Sequence, residues 1–228
     1  MIILTGASGG LGQEILSSIA NLDKVIAIYY QNPMILSNLK NIIPYKLDIT
    51  CEKSVNNFVH EFKTKLNKIT LIHAAAIAKQ DNLSINFKTI DWDDTMSVNL
   101  KGNFLLTRAL LPLMINDGWG RIIHFSSAAS NHPAPGSLAY STSKSALIGM
   151  SNALGKEYAR FGITSNVLIN GYFDAGMYKK LTLSAQQKLL DSIPSKKLGS
   201  PLNIVNAIDF LIKSEFVNCS SIKIDGGL

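Results

Sequence analysis

Cysteine is scarce in this chain of 228 residues, which contains only Cys51 and Cys219. The two lie far apart in the sequence, and neither has a metal-binding partner at close spacing. The sequence therefore favours neither a disulfide framework nor a zinc or other metal site. We expect a reduced intracellular setting, the cytoplasm.

Arginine and long apolar runs are also rare. Only three residues are arginine, and the excess of 22 basic over 16 acidic side chains comes from scattered lysines rather than a block of like charge. No nucleic-acid partner is therefore expected. No run approaches the ~18 consecutive apolar residues of a membrane span. The apolar start at residues 2–4 is interrupted by Gly6 and has no basic leader, so we expect no signal peptide.

Apolar residues make up 46% of the chain, enough for a substantial core, and strand and helix patterns alternate along it. The length fits a single domain, 1–228. Strands are predicted at 2–4, 24–30, 42–46, 69–73, 120–125, 164–169 and 220–224, and helices at 10–20, 51–66, 93–115, 139–160 and 201–213. This alternation predicts an α/β fold, a single-domain doubly wound parallel sheet of the Rossmann type with helices on both faces. Ligands bind such sheets beyond the carboxyl ends of the strands, here near 5–12, 74–77, 126–130 and 170–178.

A glycine-rich loop follows the first predicted strand. Residues 5–12 read TGASGGLG and lead into a helix. Glycines let the backbone approach a pyrophosphate closely, and the helix N-terminus supplies N–H donors, so this order favours a phosphate-binding loop over an ordinary turn. Gly6, Gly10 and Gly12 have the spacing TGxxxGxG rather than GxGxxG.

A phenol and an ammonium group stand four residues apart at the start of the fourth predicted helix, as Tyr140 and Lys144. Residues at this separation share a helix face. A neighbouring cation favours a phenolate, so we expect Lys144 to lower the pKa of Tyr140 from its ordinary value near 10. Alone, such a pair more often belongs to a solvated helix face; the glycine loop earlier in the chain favours catalysis.

Two further polar residues have a structural and a catalytic interpretation. Ser127 ends a predicted strand thirteen residues before Tyr140, where it can share a substrate oxygen with the phenol or simply form a turn. Asn99 interrupts a helical stretch, where asparagine has poor propensity, and can stabilise a kink through its side chain.

Taken together, the glycine loop and these four residues resemble the short-chain dehydrogenase/reductase family over nearly the whole chain. The resemblance is nearest to the subgroup of bacterial 3-oxoacyl-carrier-protein reductases. It implies that Asn99, Ser127, Tyr140 and Lys144 form a catalytic tetrad. Tyr140 would exchange a proton with the substrate oxygen, Ser127 would orient that oxygen, and Lys144 would hold the nicotinamide ribose. Asn99 would anchor a water in a proton relay.

The resemblance also implies where a nicotinamide dinucleotide would be held. It assigns these contacts to Gly6, Ser8, Gly10, Leu11, Gly12, Asp48, Ile49, Ala75, Tyr140 and Lys144. The structural alternative for Asp48 is a helix cap, since it stands just before the helix predicted to begin near residue 51.

The chain departs from the family pattern at two points. Where the family has Asn-Asn-Ala-Gly, this chain has His73 followed by three alanines, and its expected threonine after the sixth strand is Ala175. Nicotinamide contacts at that second point must come from the backbone or another residue. We interpret His73 as a strand-end histidine rather than a catalyst, because no carboxylate or nucleophile pattern accompanies it.

The choice between the two nicotinamide cofactors depends on the end of the second strand. An acidic residue there binds the ribose of NAD, and a basic one accepts the 2′-phosphate of NADP. This chain has Gln31 and Asn32, which are neither, and Gly9 where the family's NADP arginine lies in the loop. The absence of a repelling carboxylate favours NADP, with NAD as the alternative.

The preferred hypothesis is an NAD(P)-dependent oxidoreductase that interconverts a carbonyl and a secondary alcohol by hydride transfer. A 3-oxoacyl thioester, bound to acyl carrier protein, is the leading substrate, and a sugar or specialised-metabolite carbonyl is the alternative. A non-catalytic nucleotide-binding module is the other hypothesis. Residues 170–198, including Phe173, Met177 and Tyr178, would form a lid. By resemblance, the helices at 93–115 and 139–160 would pair subunits into a homotetramer or homodimer.

Overall fold

A parallel seven-stranded sheet forms the centre of the computed structural model, which describes residues 1–32, 40–79, 82–175, 178 and 182–228. Its strand order is β3-β2-β1-β4-β5-β6-β7. The strands are β1 Ile2–Thr5, β2 Val25–Tyr29, β3 Ile42–Lys46, β4 Ile69–His73, β5 Gly120–Ser127, β6 Ile163–Asn170 and β7 Ser221–Ile224. The chain winds outward from β1 to β3, then restarts beside β1 with β4. This reversal confirms the doubly wound Rossmann-like fold, and it places a crevice at the carboxyl ends of β1 and β4.

Helices cover both faces of the sheet. They are α1 Gly10–Ile19, α2 Glu52–Phe62, α3 Thr89–Met96, α4 Gly102–Asp117, α5 Leu138–Tyr158, α6 Leu183–Ser192 and α7 Pro201–Lys213. One core layer joins α1 and α7 to the sheet, and the other joins α2 and α4 to it. All residues of β1, β4 and β6 are buried, as expected for central strands of a parallel sheet.

Two helical regions differ from the sequence prediction. The helix predicted at 93–115 is divided by one π-helical turn, Ser97–Lys101, between α3 and α4. The segment 170–198, predicted as irregular, contains α6, whose first turn is capped by the Thr182 hydroxyl accepting from the Ala185 amide. None of the residues of α6 is buried, so the helix has no buried apolar face from which the sequence could predict it. Met177, named in the predicted lid, lies outside the described residues.

Across the described ranges, none of the helices is both long enough and apolar enough to span a bilayer.

Candidate active site

The glycine loop joins β1 to α1 and leaves the first turn of that helix open. Gly6 has a φ of +69°, a left-handed conformation that favours glycine. The Gly9 amide donates to the Gly6 carbonyl at 2.9 Å, which closes the turn before α1 begins at Gly10. No described side chain caps this helix, and its first turn holds no acidic residue. The exposed peptide N–H groups therefore suit an anionic ligand.

Backbone packs directly on backbone beneath this loop. A Cβ atom added at Gly6 would lie 2.7 Å from the Cα of Ala75, and one at Gly12 would lie 2.2 Å from the Gly6 carbonyl oxygen. The Ala75 amide donates to the Thr5 hydroxyl at 3.1 Å, so the segment after β4 is fixed against the loop. This side-chain-free surface fits a dinucleotide pyrophosphate, which needs close backbone approach.

A cavity of about 570 Å³ opens on one side of the loop, between the ends of β1, β2 and β4. Of the predicted cofactor residues, five line it: Gly6, Ser8, Asp48, Ile49 and Ala75. At the end of β2 its lining from Tyr29 to Asn32 carries no carboxylate. Asp48 also accepts hydrogen bonds from the Thr50 amide at 2.9 Å and the Thr50 hydroxyl at 2.7 Å. It therefore stabilises the turn before α2 while facing the cavity, so its two interpretations are compatible.

A second cavity of about 380 Å³ lies on the other side of the loop. The loop contributes Gly10, Leu11 and Gly12 to its wall. Ser127, Tyr140 and Lys144 complete the opposite side. The structure thus brings these three predicted catalytic side chains together beside the glycine loop.

Ser127 is the last residue of β5, which continues two residues beyond its predicted end and brings Ser127 to the cavity. Ser126 and Ser127 pair with Ile169 and Asn170 of β6, which continues the ladder. The Ser127 hydroxyl accepts from the Ala129 amide at 3.2 Å, and its interaction with the Tyr140 phenol lowers the pKa of that phenol. The serine therefore both ends the strand and orients the phenol.

The pKa of Tyr140 differs from the sequence expectation. Burial raises the pKa of this phenol, the hydrogen bond with Ser127 lowers it, and the Tyr172 phenol raises it again. We expected Lys144 to lower it, and that expectation is wrong for this structure. The Lys144 ammonium lies 5.7 Å from the centroid of the Tyr140 ring, and desolvation of the buried phenol outweighs other effects.

Lys144 is itself buried, with 3% of its surface exposed. Its Nζ donates to the Phe125 carbonyl oxygen at 2.7 Å, which ties α5 to β5. Burial lowers the pKa of Lys144 from 10.5 to about 8, so part of its positive charge is lost in mildly alkaline solution.

Asn99 lies in the π-helical turn and joins three parts of the chain. Its Oδ1 accepts from the Ile77 amide at 2.8 Å, and its Nδ2 donates to the Ile77 carbonyl at 2.9 Å. The same Nδ2 donates to the Ser143 hydroxyl at 3.0 Å, beside Lys144 on α5. The predicted helix irregularity at Asn99 is therefore present, and its side chain holds the segment after β4 against α5.

Tyr172 is a cavity residue that sequence reasoning missed. It lines the second cavity immediately after β6 and acts electrostatically on Tyr140. Its position at the carboxyl end of a strand was the available signal. Ala175, which replaces the family's threonine, lines the same cavity.

His73 lies in the core rather than in either cavity. Its ring stacks on His124 of β5, with 5.0 Å between centroids and 10° between planes. Its Nε2 is 2.8 Å from the Thr107 hydroxyl of α4. Burial, the neighbouring His124 ring and the Lys144 charge hold the pKa of His73 well below its ordinary value. The geometry agrees with a strand-end histidine.

Comparison with known proteins gives a consistent result. Residues 1–186 match the short chain dehydrogenase family. A 3-oxoacyl-[acyl-carrier-protein] reductase FabG of Rickettsia felis is 31% identical over 230 residues, covering 99% of this chain and 95% of the relative. The FabG of Thermotoga maritima is 31% identical over 242 residues, covering 99% and 96%. The solved structure of ElxO with NADP bound has a TM-score of 0.90 and 26% identity, covering 99% and 96%.

The chain belongs to the short-chain dehydrogenase family. It is an NAD(P)-dependent oxidoreductase that interconverts a carbonyl and an alcohol.

The close approach at Gly12 predicts that Gly12→Ala weakens nucleotide binding. The added methyl group cannot fit 2.2 Å from the Gly6 carbonyl oxygen, so the loop must move out of its present conformation. We expect the Kd for NADPH, measured by fluorescence titration, to rise at least about tenfold. The control Ser17→Ala changes an exposed position of the same helix. Equal affinity of the Gly12→Ala and control proteins would contradict this prediction.

The buried histidines predict a loss of stability in acid. The pKa of His124 is lowered to about 3, chiefly by burial, whereas an unfolded histidine titrates near 6.5. Protons therefore bind the unfolded chain first, and stability present above pH 6.5 is lost as the pH falls towards 3. Between pH 7 and pH 5, His124 alone should lower the free energy of unfolding by about 2 kcal/mol.

Urea unfolding of the wild type and of His124→Asn at both pH values measures this difference. The variant should lose about 2 kcal/mol less than the wild type over the interval. Equal losses in the two proteins would show that His124 is not held neutral by burial.

Proposed function

We propose that this chain is an NADP-dependent reductase of a 3-oxoacyl thioester presented by acyl carrier protein. We further propose that Asn99, Ser127, Tyr140 and Lys144 are its catalytic residues. The observation that carries this proposal is that Ser127, Tyr140 and Lys144 line one cavity together with the glycine loop. The FabG relatives are 3-oxoacyl-[acyl-carrier-protein] reductases, which supports this substrate class.

The residues around the two cavities fit a dinucleotide. Gly6, Ser8, Gly10, Leu11 and Gly12 would hold the pyrophosphate, and Asp48, Ile49 and Ala75 would hold the adenosine. Tyr140 and Lys144 would hold the nicotinamide ribose. The bound cofactor supplies the hydride for carbonyl reduction.

The end of β2 supports NADP over NAD. Its cavity lining from Tyr29 to Asn32 contains no carboxylate that would repel a 2′-phosphate. The structural neighbour ElxO was solved with NADP bound. Saturation experiments with both cofactors distinguish them.

The protonation state of Tyr140 supports catalysis in the direction of carbonyl reduction. Because burial raises its pKa, Tyr140 remains a neutral phenol at neutral pH and has a proton to donate to a carbonyl oxygen. Ser127 would donate a hydrogen bond to the same oxygen and fix its position. Lys144 would hold the nicotinamide ribose beside this oxygen. Asn99 would keep α5 in the position that this transfer requires.

The side chains around the second cavity suit a substrate that carries an apolar chain. Tyr172, Phe173, Tyr178 and Ala134 line it, and His132 contributes a polar edge. We propose that the segment 170–198, which includes α6, acts as the substrate lid. A sugar or specialised-metabolite carbonyl is the alternative substrate, because none of these side chains identifies a thioester.

Tyr140→Phe tests the proposed proton donor. The change removes one hydroxyl and should lower kcat for 3-oxoacyl thioester reduction at least about 100-fold. The variant should still bind NADPH, because the other proposed cofactor residues are unchanged. Tyr158→Phe, on the same helix but remote from both cavity linings, serves as the matched control and should keep wild-type kcat.

A panel of ketones assayed with NADPH and NADH tests the class of function. Reduction of sugar carbonyls alone would replace the thioester proposal with its alternative. A wild-type protein that binds nucleotide but reduces no carbonyl would instead favour a non-catalytic module. Full activity in Tyr140→Phe would contradict the catalytic assignment.

We also propose that the protein is a cytoplasmic homo-oligomer, a tetramer or dimer. Support comes from a shallow groove formed by α3, the π-helical turn, α4 and α5. Met96, Leu100, Phe104 and Met150 line it, and Phe104 is 45% exposed. An apolar face of this kind suits pairing with a second copy.

Phe104→Asp should disrupt this assembly, because pairing would bury its new charge beside the apolar side chains of the groove. Light scattering coupled to size exclusion measures the mass of the particle, with Phe216→Asp, outside the groove, as the control. A measured particle mass of 24.8 kDa for the wild type, the mass of a single chain, would contradict the proposal.

A further inference from the structure

A buried polar cluster lies between the sheet and α4, deeper than the two cavities. We name it the histidine cluster: His73 of β4, His124 of β5, and Asn103 and Thr107 of α4. The two histidines are register neighbours, and Asn103 and Thr107 lie one helical turn apart on one face. Leu71 and Ile122, two residues earlier on each strand, pack in the same apolar layer as α4. All four cluster residues are at most 1% exposed.

Most polar atoms of this cluster are unpaired. Within the part of the chain that the structure describes, five atoms find no hydrogen-bond partner: Nδ1 of His73, both ring nitrogens of His124, and both amide atoms of Asn103. They are five of the nine such buried side-chain atoms in that part. Each costs about 1–3 kcal/mol if it stays unsatisfied, so their concentration at one place favours a small polar ligand.

The chemistry of these atoms matches water. A neutral histidine ring offers one donor and one acceptor, and the Asn103 amide offers two donor hydrogens and an acceptor oxygen. Water donates two hydrogen bonds and accepts two, and buried water commonly makes about three. Burial keeps both rings neutral, as the lowered pKa values of His73 and His124 indicate.

The cluster is electrostatically linked to Lys144. The positive charge of Lys144 lowers the pKa of both histidines, and His124 also acts on His73. From α4, Thr107 contacts His73 and Asn103 lies one turn earlier on the same helix face, and neither carries a charge. The ammonium has three donor hydrogens and uses one on the carbonyl of Phe125, the residue next to His124.

We propose that His73, Asn103 and His124 bind ordered water between the sheet and α4, and that this water hydrates the Lys144 ammonium from within the core. The three are positioning residues, because they act through Lys144 and not on substrate. The binding of water does not depend on the proposed function, whereas the role of Lys144 in carbonyl reduction rests on that proposed function. Without this water, desolvation of Lys144 would be more complete, and its pKa would fall further below its present value near 8.

A crystal structure of the full chain at about 1.5 Å resolution tests the binding of water directly. We expect at least one solvent peak within about 3.2 Å of two polar atoms of the cluster. The proposal is overturned if His73, Asn103 and His124 instead satisfy one another directly with no solvent between them.

Two substitutions test the link to Lys144. Asn103→Leu and His124→Phe each remove polar atoms at nearly constant volume. Thr164→Val is the matched control, since the Thr164 hydroxyl is equally buried and unpaired but lies at the amino end of β6. Should His124→Phe fail to fold, Asn103→Leu decides the result.

The readout is the pKa of Lys144, followed by NMR of ε-¹³C-lysine and assigned by the signal lost in Lys144→Met. We expect it to fall by about half a pH unit or more in the cluster variants and to stay unchanged in Thr164→Val. An unchanged pKa in the cluster variants overturns the link.

The pH profile of carbonyl reduction gives the catalytic consequence. If charged Lys144 supports reduction, the alkaline limb of kcat should move to lower pH in the cluster variants by the same amount. A wild type that reduces no carbonyl would contradict the proposed function, whereas the solvent peak and the NMR result would still decide this inference. An NMR shift without a shift of the limb would overturn only the catalytic consequence.

Discussion

The hydrogen bond from the buried Lys144 ammonium to the Phe125 carbonyl is the interaction on which the arrangement of the site depends. It fastens α5 to the end of β5, so Tyr140, one turn earlier on that helix, faces Ser127 across the cavity. A charge held in the core needs such a partner, because desolvation alone would be prohibitive. Burial also keeps Tyr140 protonated. The packing of α5 on β5 therefore determines both the position and the protonation state of the phenol.

A second constraint is the absence of side chains under the glycine loop. The contacts of Gly6 and Gly12 show that β1, α1 and the segment after β4 meet with only backbone between them. The three alanines after His73 are compatible with this contact, although the family pattern has other residues there. Their small size preserves the surface that a dinucleotide needs, which explains how the chain can depart from the pattern without closing the cavity.

Most of the fold could be predicted from sequence, because buried parallel strands form short apolar runs that glycine, helix and loop patterns separate. The bounds of β3 and β4 agree with the prediction to the residue. The sequence indicated an irregularity at Asn99 but not its π-helical form, since the partners of Asn99, Ile77 and Ser143, are distant in sequence. The spacing placed Tyr140 and Lys144 on one helix face, and the family resemblance added Ser127 to them. The raised pKa of Tyr140 did not, because burial is a property of the folded chain.

The π-helical turn has a consequence for how this region tolerates change. It holds about one more residue than an α-helical turn, so every later side chain of α4 is rotated by about 100° around the axis. That offset lets Asn99 face Ile77 and Ser143 while Thr107, two turns on, still meets His73. Insertions and deletions here would change the phase of the whole helix, whereas substitutions would not. The number of residues between Asn99 and Thr107 therefore decides which of their partners each side chain can reach.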